Sequence, residues 1–216
     1  MTLSLSEIEF SYAGAKAPLL KIPEFQIKAG ESIFLYGPSG AGKSTLLEII
    51  GGIHQPQQGQ MHFQGMDMMA MTGPGRDRLR ADHMGFIFQS FNLLPFLTAR
   101  QNIELGLHFS PRKQGKVNDE SFKSVVERLG LSHVLDQKAG TLSVGQSQRV
   151  AAARAVLGQP ELLIADEPTS SLDADHREKF IDVLFELAKS AKQSLLFVSH
   201  DRSLAKHFDR EISLAD

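Results

Sequence analysis

The chain has 216 residues, a length typical of one domain, and its 23 Lys and Arg against 25 Asp and Glu give a net charge of −2. This balance argues against a protein that coats nucleic acid, so we expect no nucleic-acid partner. The absence of cysteine excludes a disulfide scaffold, a thiolate zinc site and a cysteine nucleophile. The N-terminus lacks the basic and apolar pattern of a secretory signal, and no apolar run reaches the roughly 18 residues that span a bilayer. We therefore expect a cytoplasmic protein that does any membrane work through a partner.

The strand signals come first in chain order. Apolar residues alternate from Leu3 to Tyr12 but change phase near Ser6 and Glu7, which predicts a half-buried strand with a bulge. Three later runs are apolar without alternation, as is typical of strands covered on both faces in a parallel sheet. These runs are Ser32–Tyr36, 162–165 and Ser194–Val198.

Helix signals lie between the strand signals. Asn118 precedes a helical apolar pattern that stops at Gly130, and Asp173 precedes a second one. Strands that alternate with helices predict a three-layer α/β fold. Residues 90–159 carry little strand signal, which indicates a mostly helical insertion. Turn-forming residues predict loops at residues 55–59, 73–75 and 110–115.

A phosphate-binding loop is the most specific motif. Residues 37–44 read GPSGAGKS and match G-x-x-x-x-G-K-[ST] between a predicted strand and a predicted helix. The glycines let successive backbone N–H groups surround an anion, Lys43 can reach the β- and γ-phosphates, and the Ser44 hydroxyl can bind Mg²⁺. The alternative is a merely glycine-rich turn. The context favours a site for a nucleoside triphosphate.

Two carboxylates end the apolar run 162–165. Asp166 can hold Mg²⁺, and Glu167 is a candidate base for a water that attacks the γ-phosphate. Acidic residues at a strand end are often only solvated. Beside a phosphate-binding loop the catalytic interpretation is favoured, because magnesium-dependent phosphoryl transfer needs such a ligand.

Further motifs carry a family resemblance. Residues 142–146, LSVGQ, resemble the LSGGQ signature of ATP-binding cassette (ABC) ATPases, and residues 166–173, DEPTSSLD, resemble their extended Walker B motif and D-loop. Gln89 resembles the Q-loop glutamine, His200 the switch histidine, and Tyr12 the aromatic residue placed against adenine. Val144 departs from the glycine of the signature, and Ser171 stands where alanine is common in the D-loop.

The resemblance implies a P-loop NTPase fold over residues 1–216, with a parallel-sheet core, an N-terminal antiparallel β subdomain and an inserted α-helical subdomain at about 90–159. It implies a magnesium-dependent ATPase that works as an ATP-dependent head-to-tail homodimer. The ATP-binding residues would be Tyr12, Gly37, Pro38, Ser39, Gly40, Ala41, Gly42, Lys43, Ser44 and Thr45; the metal residues Ser44, Gln89 and Asp166; and the catalytic residues Glu167, His200, Lys43 and Gln89. Leu142, Ser143, Val144, Gly145 and Gln146 would close over the ATP of the other subunit, and Asp173 would belong to the D-loop.

The segment 88–103 resembles ATPases of the lipoprotein-releasing, macrolide-exporting and cell-division type. The resemblance implies an integral membrane permease as partner, a location on the inner face of the membrane, and export or membrane extraction as the work done. Phe91, Leu93, Leu94, Phe96 and Leu97 would line a groove for the permease or, as the simpler interpretation for each residue, pack in the core. Two alternatives remain open: a non-transport ABC ATPase that regulates a membrane complex, and a nucleotide kinase or switch GTPase.

Overall fold

A computed structural model describes residues 1–15, 17–170 and 172–214. Its strands and helices alternate along most of the chain, as the sequence predicts. The strands are β1 (Leu3–Phe10), β2 (Leu20–Ile27), β3 (Ser32–Tyr36), β4 (Gln58–Phe63), β5 (Met66–Asp67), β6 (Met84–Ile87), β7 (Leu162–Asp166), β8 (Ser194–Val198) and β9 (Arg210–Ser213). The helices are α1 (Lys43–Ile50), α2 (Gly73–His83), α3 (Ala99–His108), α4 (Pro111–Gln114), α5 (Asp119–Arg128), α6 (Val144–Val156) and α7 (Ala174–Ser190).

The central sheet is parallel and has the strand order β6-β7-β8-β3-β9. Its three inner strands β7, β8 and β3 are the three runs without alternation, and almost all of their residues are buried. The predicted parallel core is therefore confirmed. Because all five strands point the same way, the loops that follow β3, β6, β7 and β8 meet at one edge of the sheet.

A second sheet is antiparallel, with the order β2-β1-β4-β5. The predicted bulge in β1 is confirmed, because Glu7 has a φ of 49° and the register with β4 shifts between Ser6 and Glu9. Gly59 in β4 lies so close to the bulge that an added Cβ would be 2.5 Å from the Glu7 carbonyl oxygen. Only glycine fits at that position.

The helix caps follow the sequence. Asn118 and Asp173 cap α5 and α7, as predicted, and their side chains accept hydrogen bonds from Ser121 N (2.8 Å) and His176 N (3.0 Å). Between β6 and β7 the described chain folds into α3, α4, α5 and α6. The chain is thus an α/β protein with a parallel core and a separate antiparallel sheet.

Two predicted loops were wrong. Residues 73–75 form the first turn of α2, because the Thr72 hydroxyl caps the helix and Pro74 suits its first positions. Residues 111–114 form the short helix α4, which Ser110 caps in the same way. The third predicted loop is shorter than expected, since β4 begins at Gln58. None of the described helices combines the length and apolar character needed to cross a membrane.

Candidate active site

An open cleft of about 570 Å³ lies at the edge of the parallel sheet where the strands end. The loops after four strands bring their side chains into it, as expected for a parallel sheet. The cleft is lined by Leu19, Gly37, Ser39, Gly40, Gly42, Lys43, Ser44, Thr45, Gln89, Asp166, Glu167 and His200. Residues predicted from four separate parts of the chain therefore share one site.

The phosphate-binding loop joins β3 to α1. Gly40 and Gly42 have φ values of 83° and 87°, which other residues adopt at a cost, and a Cβ on Gly42 would be 2.6 Å from the Leu20 side chain. Gly42 is also the N-cap of α1, and no side chain among the described residues caps this helix. The first backbone N–H groups of α1 are therefore available to an anion.

The Lys43 ammonium group lies over the same loop. It donates to the carbonyl oxygens of Gly37 (2.8 Å) and Pro38 (3.0 Å). These carbonyls hold the positive charge at the mouth of the cleft. The charged oxygen atoms of a bound phosphate would replace the carbonyls as acceptors and form stronger hydrogen bonds with Lys43. The predicted role of Lys43 therefore fits its position.

Two carboxylates face the loop from the end of β7. Burial first, and then the charge of Glu167, raise the pKa of Asp166 above its ordinary value, although a hydrogen bond from Ser44 and the charge of Lys43 act against this. Glu167 follows with a φ of 46°, a left-handed conformation that is rare outside glycine, and its backbone N–H donates to Val198 O (2.9 Å). Strained backbone of this kind is concentrated at functional sites.

Oxygen atoms suited to Mg²⁺ meet near the loop. The Ser44 hydroxyl, the Gln89 amide and the Asp166 carboxylate all line the cleft. Within the described ranges no three His, Asp or Glu side chains form a metal cage. Mg²⁺ in phosphoryl-transfer sites takes few protein ligands and completes its coordination with water and phosphate oxygens, so this set fits the ion.

His200 meets Glu167 across the cleft. Its Nδ1 lies 3.0 Å from Glu167 Oε2, while 72% of the His200 side chain and 14% of the Glu167 side chain are exposed. A mostly exposed imidazole thus contacts a largely buried carboxylate. Two of the four residues that the sequence assigns to catalysis are therefore in direct contact.

Tyr12 lies beside the start of α1. Its hydroxyl is 3.1 Å from Thr45 Oγ1, and its ring packs edge to face against Phe10 and His54 at centroid distances of 5.1 and 5.5 Å. The side chain is still 45% exposed. A ring held on two sides and open on another can stack on a flat base.

The signature residues lie outside the cleft. Ser143 caps α6 by accepting from Gln146 N (3.2 Å), and the Gln146 side chain accepts from Ser143 N (2.8 Å). Val144, which replaces the usual glycine, projects outward with 53% exposure. Asp173 also does not line the cleft, and the departure at Ser171 lies outside the described residues.

One cleft residue had no signal in the sequence. Leu19 lies just before β2 and is 41% exposed at the rim of the phosphate loop. Its position depends on the antiparallel sheet, which brings β2 next to α1. No motif includes it, so only the fold could reveal it.

Comparison with known proteins agrees with the geometry. A family profile described as ABC transporter matches residues 20–170. The chain is 41% identical to the uncharacterized ABC transporter ATP-binding protein YbbA of Escherichia coli K12, over 89% of this chain and 84% of YbbA. It is 35% identical to the lipoprotein-releasing system ATP-binding protein LolD of Hydrogenovibrio crunogenus, over 100% of this chain and 94% of LolD. The macrolide export ATP-binding/permease protein MacB of Marinobacter nauticus matches 99% of this chain at 37% identity, but only 33% of MacB is covered.

A solved structure shares the whole fold. The ABC transporter cassette MJ0796 superposes with a TM-score of 0.86 at 33% identity, over 98% of this chain and 93% of that one. One structure of MJ0796 is described as dimeric, and another as a dimeric post-hydrolysis state bound to ADP and Pi.

Proposed function

The chain belongs to the ABC transporter family, and from that premise we propose that it powers export or membrane extraction of a substrate through a permease. The protein is an ATP-binding cassette with ATPase activity. Membership of this family excludes the nucleotide kinase and the switch GTPase. The ATP hydrolysis in this proposal is carried by the contact of Glu167 and His200 opposite the phosphate-binding loop, in a cleft large enough for a nucleotide phosphate chain. The permease is carried by the likeness to proteins named for macrolide export and lipoprotein release.

Each predicted site residue in or beside the cleft has a proposed task. Tyr12 stacks on adenine, residues 37–45 bind the phosphates, and Lys43 neutralises charge on the β- and γ-phosphates. Ser44, Gln89 and Asp166 would hold Mg²⁺, which supplies charge neutralisation at the phosphate oxygens. Glu167 accepts a proton from the attacking water, and His200 orients Glu167 and contacts the γ-phosphate.

A second copy of the chain completes the proposed site. Leu142–Gln146 lies around the N-terminus of α6 and does not line the cleft, so we expect it not to contact the nucleotide that its own chain binds. In a head-to-tail homodimer the signature of each subunit covers the ATP of the other, and the D-loop with Asp173 lies near the same junction. The dimeric cassette MJ0796 supports this arrangement.

The segment after Gln89 is the proposed contact with the permease. Phe91 and Leu93 pack against the core, as the simpler interpretation predicted, but Phe96 is 68% exposed, so core packing was wrong for this residue. The fully buried Asn102 holds the segment by accepting from Leu94 N (2.8 Å) and donating to Leu94 O and Thr98 O (3.0 Å each). A fixed backbone with an exposed aromatic side chain suits a docking site.

The fusion in MacB supports a permease partner, because a region like this chain makes up a third of a protein named ATP-binding/permease. The cassette would then lie on the cytoplasmic side of the membrane, held there by the permease. The proposed organisation is a single domain over 1–216 with a helical subdomain at about 90–159.

Purification of tagged Glu167→Gln protein from detergent-solubilised native membranes, with ATP and Mg²⁺, tests the partner. We expect mass spectrometry to identify an integral membrane subunit, Phe96→Ser to lose it, and Ile53→Ser, which alters another exposed apolar residue, to retain it. Recovery of an ATP-bound dimer without a membrane subunit would contradict the transport proposal and favour a non-transport regulator.

A further inference from the structure

Arg177 links two loops that carry the proposed catalytic pair. It lies in the first turn of α7, and its Nη1 donates to Asp201 Oδ2 while its Nη2 donates to Leu172 O (3.1 Å). Leu172 belongs to the loop that follows Glu167, and Asp201 directly follows His200. One guanidinium group therefore joins the two loops at a point other than the Glu167–His200 contact.

The described residues of the loop after Glu167 form hydrogen bonds that lead from Glu167 to Arg177. Ser170 N donates to Glu167 O (3.3 Å), and Leu172 N donates to Thr169 O (3.2 Å). Arg177 then binds the carbonyl oxygen of Leu172. A shift of the Arg177 guanidinium would be passed back along this turn to the strained backbone of Glu167.

The loop around His200 is held on both sides of the histidine. Ser199 N donates to Leu35 O (3.2 Å) in β3, and Asp201 N donates to Ser199 Oγ (3.1 Å). The other carboxylate oxygen of Asp201 accepts from Ser203 N (3.1 Å) and Ser203 Oγ (2.6 Å). Hydrogen bonds from Ser203, together with the charge of Arg177, keep the pKa of Asp201 below its ordinary value, so Asp201 is ionised at neutral pH.

His200 needs such support because its own side chain is mostly exposed. Its imidazole has one described contact, with Glu167, so the placement of the ring depends on the backbone on either side. On one side that backbone is tied to β3, and on the other it is tied to α7 through Asp201 and Arg177. We propose that Arg177 is a positioning residue that sets the distance between Glu167 and His200 through its bonds to Leu172 and Asp201.

This inference rests on the proposed ATPase chemistry of the cleft, and its test separates the two. Arg177→Met removes the link, and Asp201→Asn weakens it by removing the charge of the carboxylate, and neither alters a group in the cleft. We expect kcat for ATP hydrolysis to fall about tenfold or more with KM changed less than about twofold, since misplacement of a reacting group costs rate rather than binding. Arg177→Lys should recover part of the rate, because lysine keeps the charge but lacks the planar fork.

Arg128→Met is the matched control. Arg128 also binds α7, through Ser190 Oγ (3.2 Å) and Glu186 Oε2 (3.3 Å), but at the end remote from the cleft. We expect its kcat to equal that of the unaltered protein. In a His200→Ala background Arg177→Met should cause no further loss, because a residue that acts through the pair has nothing left to position.

Three results would overturn the role of Arg177. The first is a kcat for both variants equal to that of Arg128→Met, and the second is a fall in kcat that is explained by lower thermal stability alone. The third is a fall in kcat that is as large in the His200→Ala background as in the unaltered protein. If Arg177→Met fails to fold, Asp201→Asn decides by the same criteria. Absence of ATP hydrolysis by the unaltered protein at high concentration would instead contradict the proposed chemistry and the inference together.

Discussion

Two helices of this protein begin at motifs that are predicted to bind phosphate, but their N-termini are built differently. α1 begins at Gly42 in a left-handed conformation, inside the cleft, with no side-chain cap among the described residues. α6 begins at Ser143 on the surface, where Ser143 and Gln146 form a complete capping box. The first helix leaves its N-terminal backbone donors free of caps from the described side chains, as the proposed binding of phosphate by its own chain requires. The second helix is capped by its own side chains, and its proposed phosphate belongs to the nucleotide of another subunit.

The largest expected effect is on ATP hydrolysis in the cleft, where α1 begins. Glu167→Gln keeps the size of the side chain but removes the proton acceptor, so hydrolysis should fall by about 10²- to 10⁴-fold. ATP affinity, measured by equilibrium binding, should remain. Glu127→Gln, an exposed change on α5, should leave the rate unchanged. Full turnover by Glu167→Gln would show that another group is the base.

Lys43→Ala should act on binding. The ammonium group lies at the mouth of the loop, and loss of its charged hydrogen bonds should weaken ATP binding by about tenfold to a hundredfold, from the 1.5–3 kcal/mol typical of such bonds. Lys123→Ala, which removes an exposed lysine on α5, is the control. Equal ATP affinity for the two variants in calorimetry would contradict the role of Lys43.

Ser143→Ala removes the side-chain cap of α6 and should lower the free energy of unfolding. Loss of an N-cap hydroxyl costs about 1 kcal/mol, which urea unfolding can measure, while ATP binding to the isolated chain should not change. This loss of stability would distinguish the two helix N-termini, because in the described part of the chain α1 has no side-chain cap that a substitution could remove. A weaker ATP affinity in Ser143→Ala monomers would place the signature within its own chain's site.

The smallest expected effect concerns Asp166. Between the ordinary pKa and the raised pKa, folded Asp166 holds a proton that the unfolded chain has released, so unfolding free energy should fall as pH rises through that window. Asp166→Asn should remove this slope and raise the Tm of the nucleotide-free protein at neutral pH, while it weakens Mg²⁺-dependent hydrolysis. An unchanged or lower Tm would show that the buried charge of Asp166 does not destabilise the folded protein.

Much of the fold could be predicted because local signals agreed with it. The strands at residues 32–36 and 194–198 were predicted with their ends, and so were the caps Asn118 and Asp173. The sequence did not predict β6, because this strand has only four residues and contains Gly85, a residue type that is uncommon inside strands. In the structure a Cβ on Gly85 would be 2.1 Å from Ala155 O, so the glycine lets α6 approach the sheet.

The candidate site was predictable where a motif is local in sequence. The loop at residues 37–44 and the pair Asp166 and Glu167 are of this kind. The contact of Arg177 with Asp201 joins residues that are 24 apart, and its two partners lie in separate loops, so no pattern reveals it. The position of Leu19 depends in the same way on the pairing of strands.

Shared use of one nucleotide by two chains is the central claim, and light scattering of Glu167→Gln with ATP and Mg²⁺ tests it most directly. We expect Glu167→Gln alone to form a dimer, and Glu167→Gln/Ser143→Arg to bind ATP but remain monomeric. Glu167→Gln/Asn118→Arg loses an equally exposed cap, on α5, and should still dimerise. A dimer that persists in the Ser143→Arg protein with unchanged nucleotide content would contradict the claim.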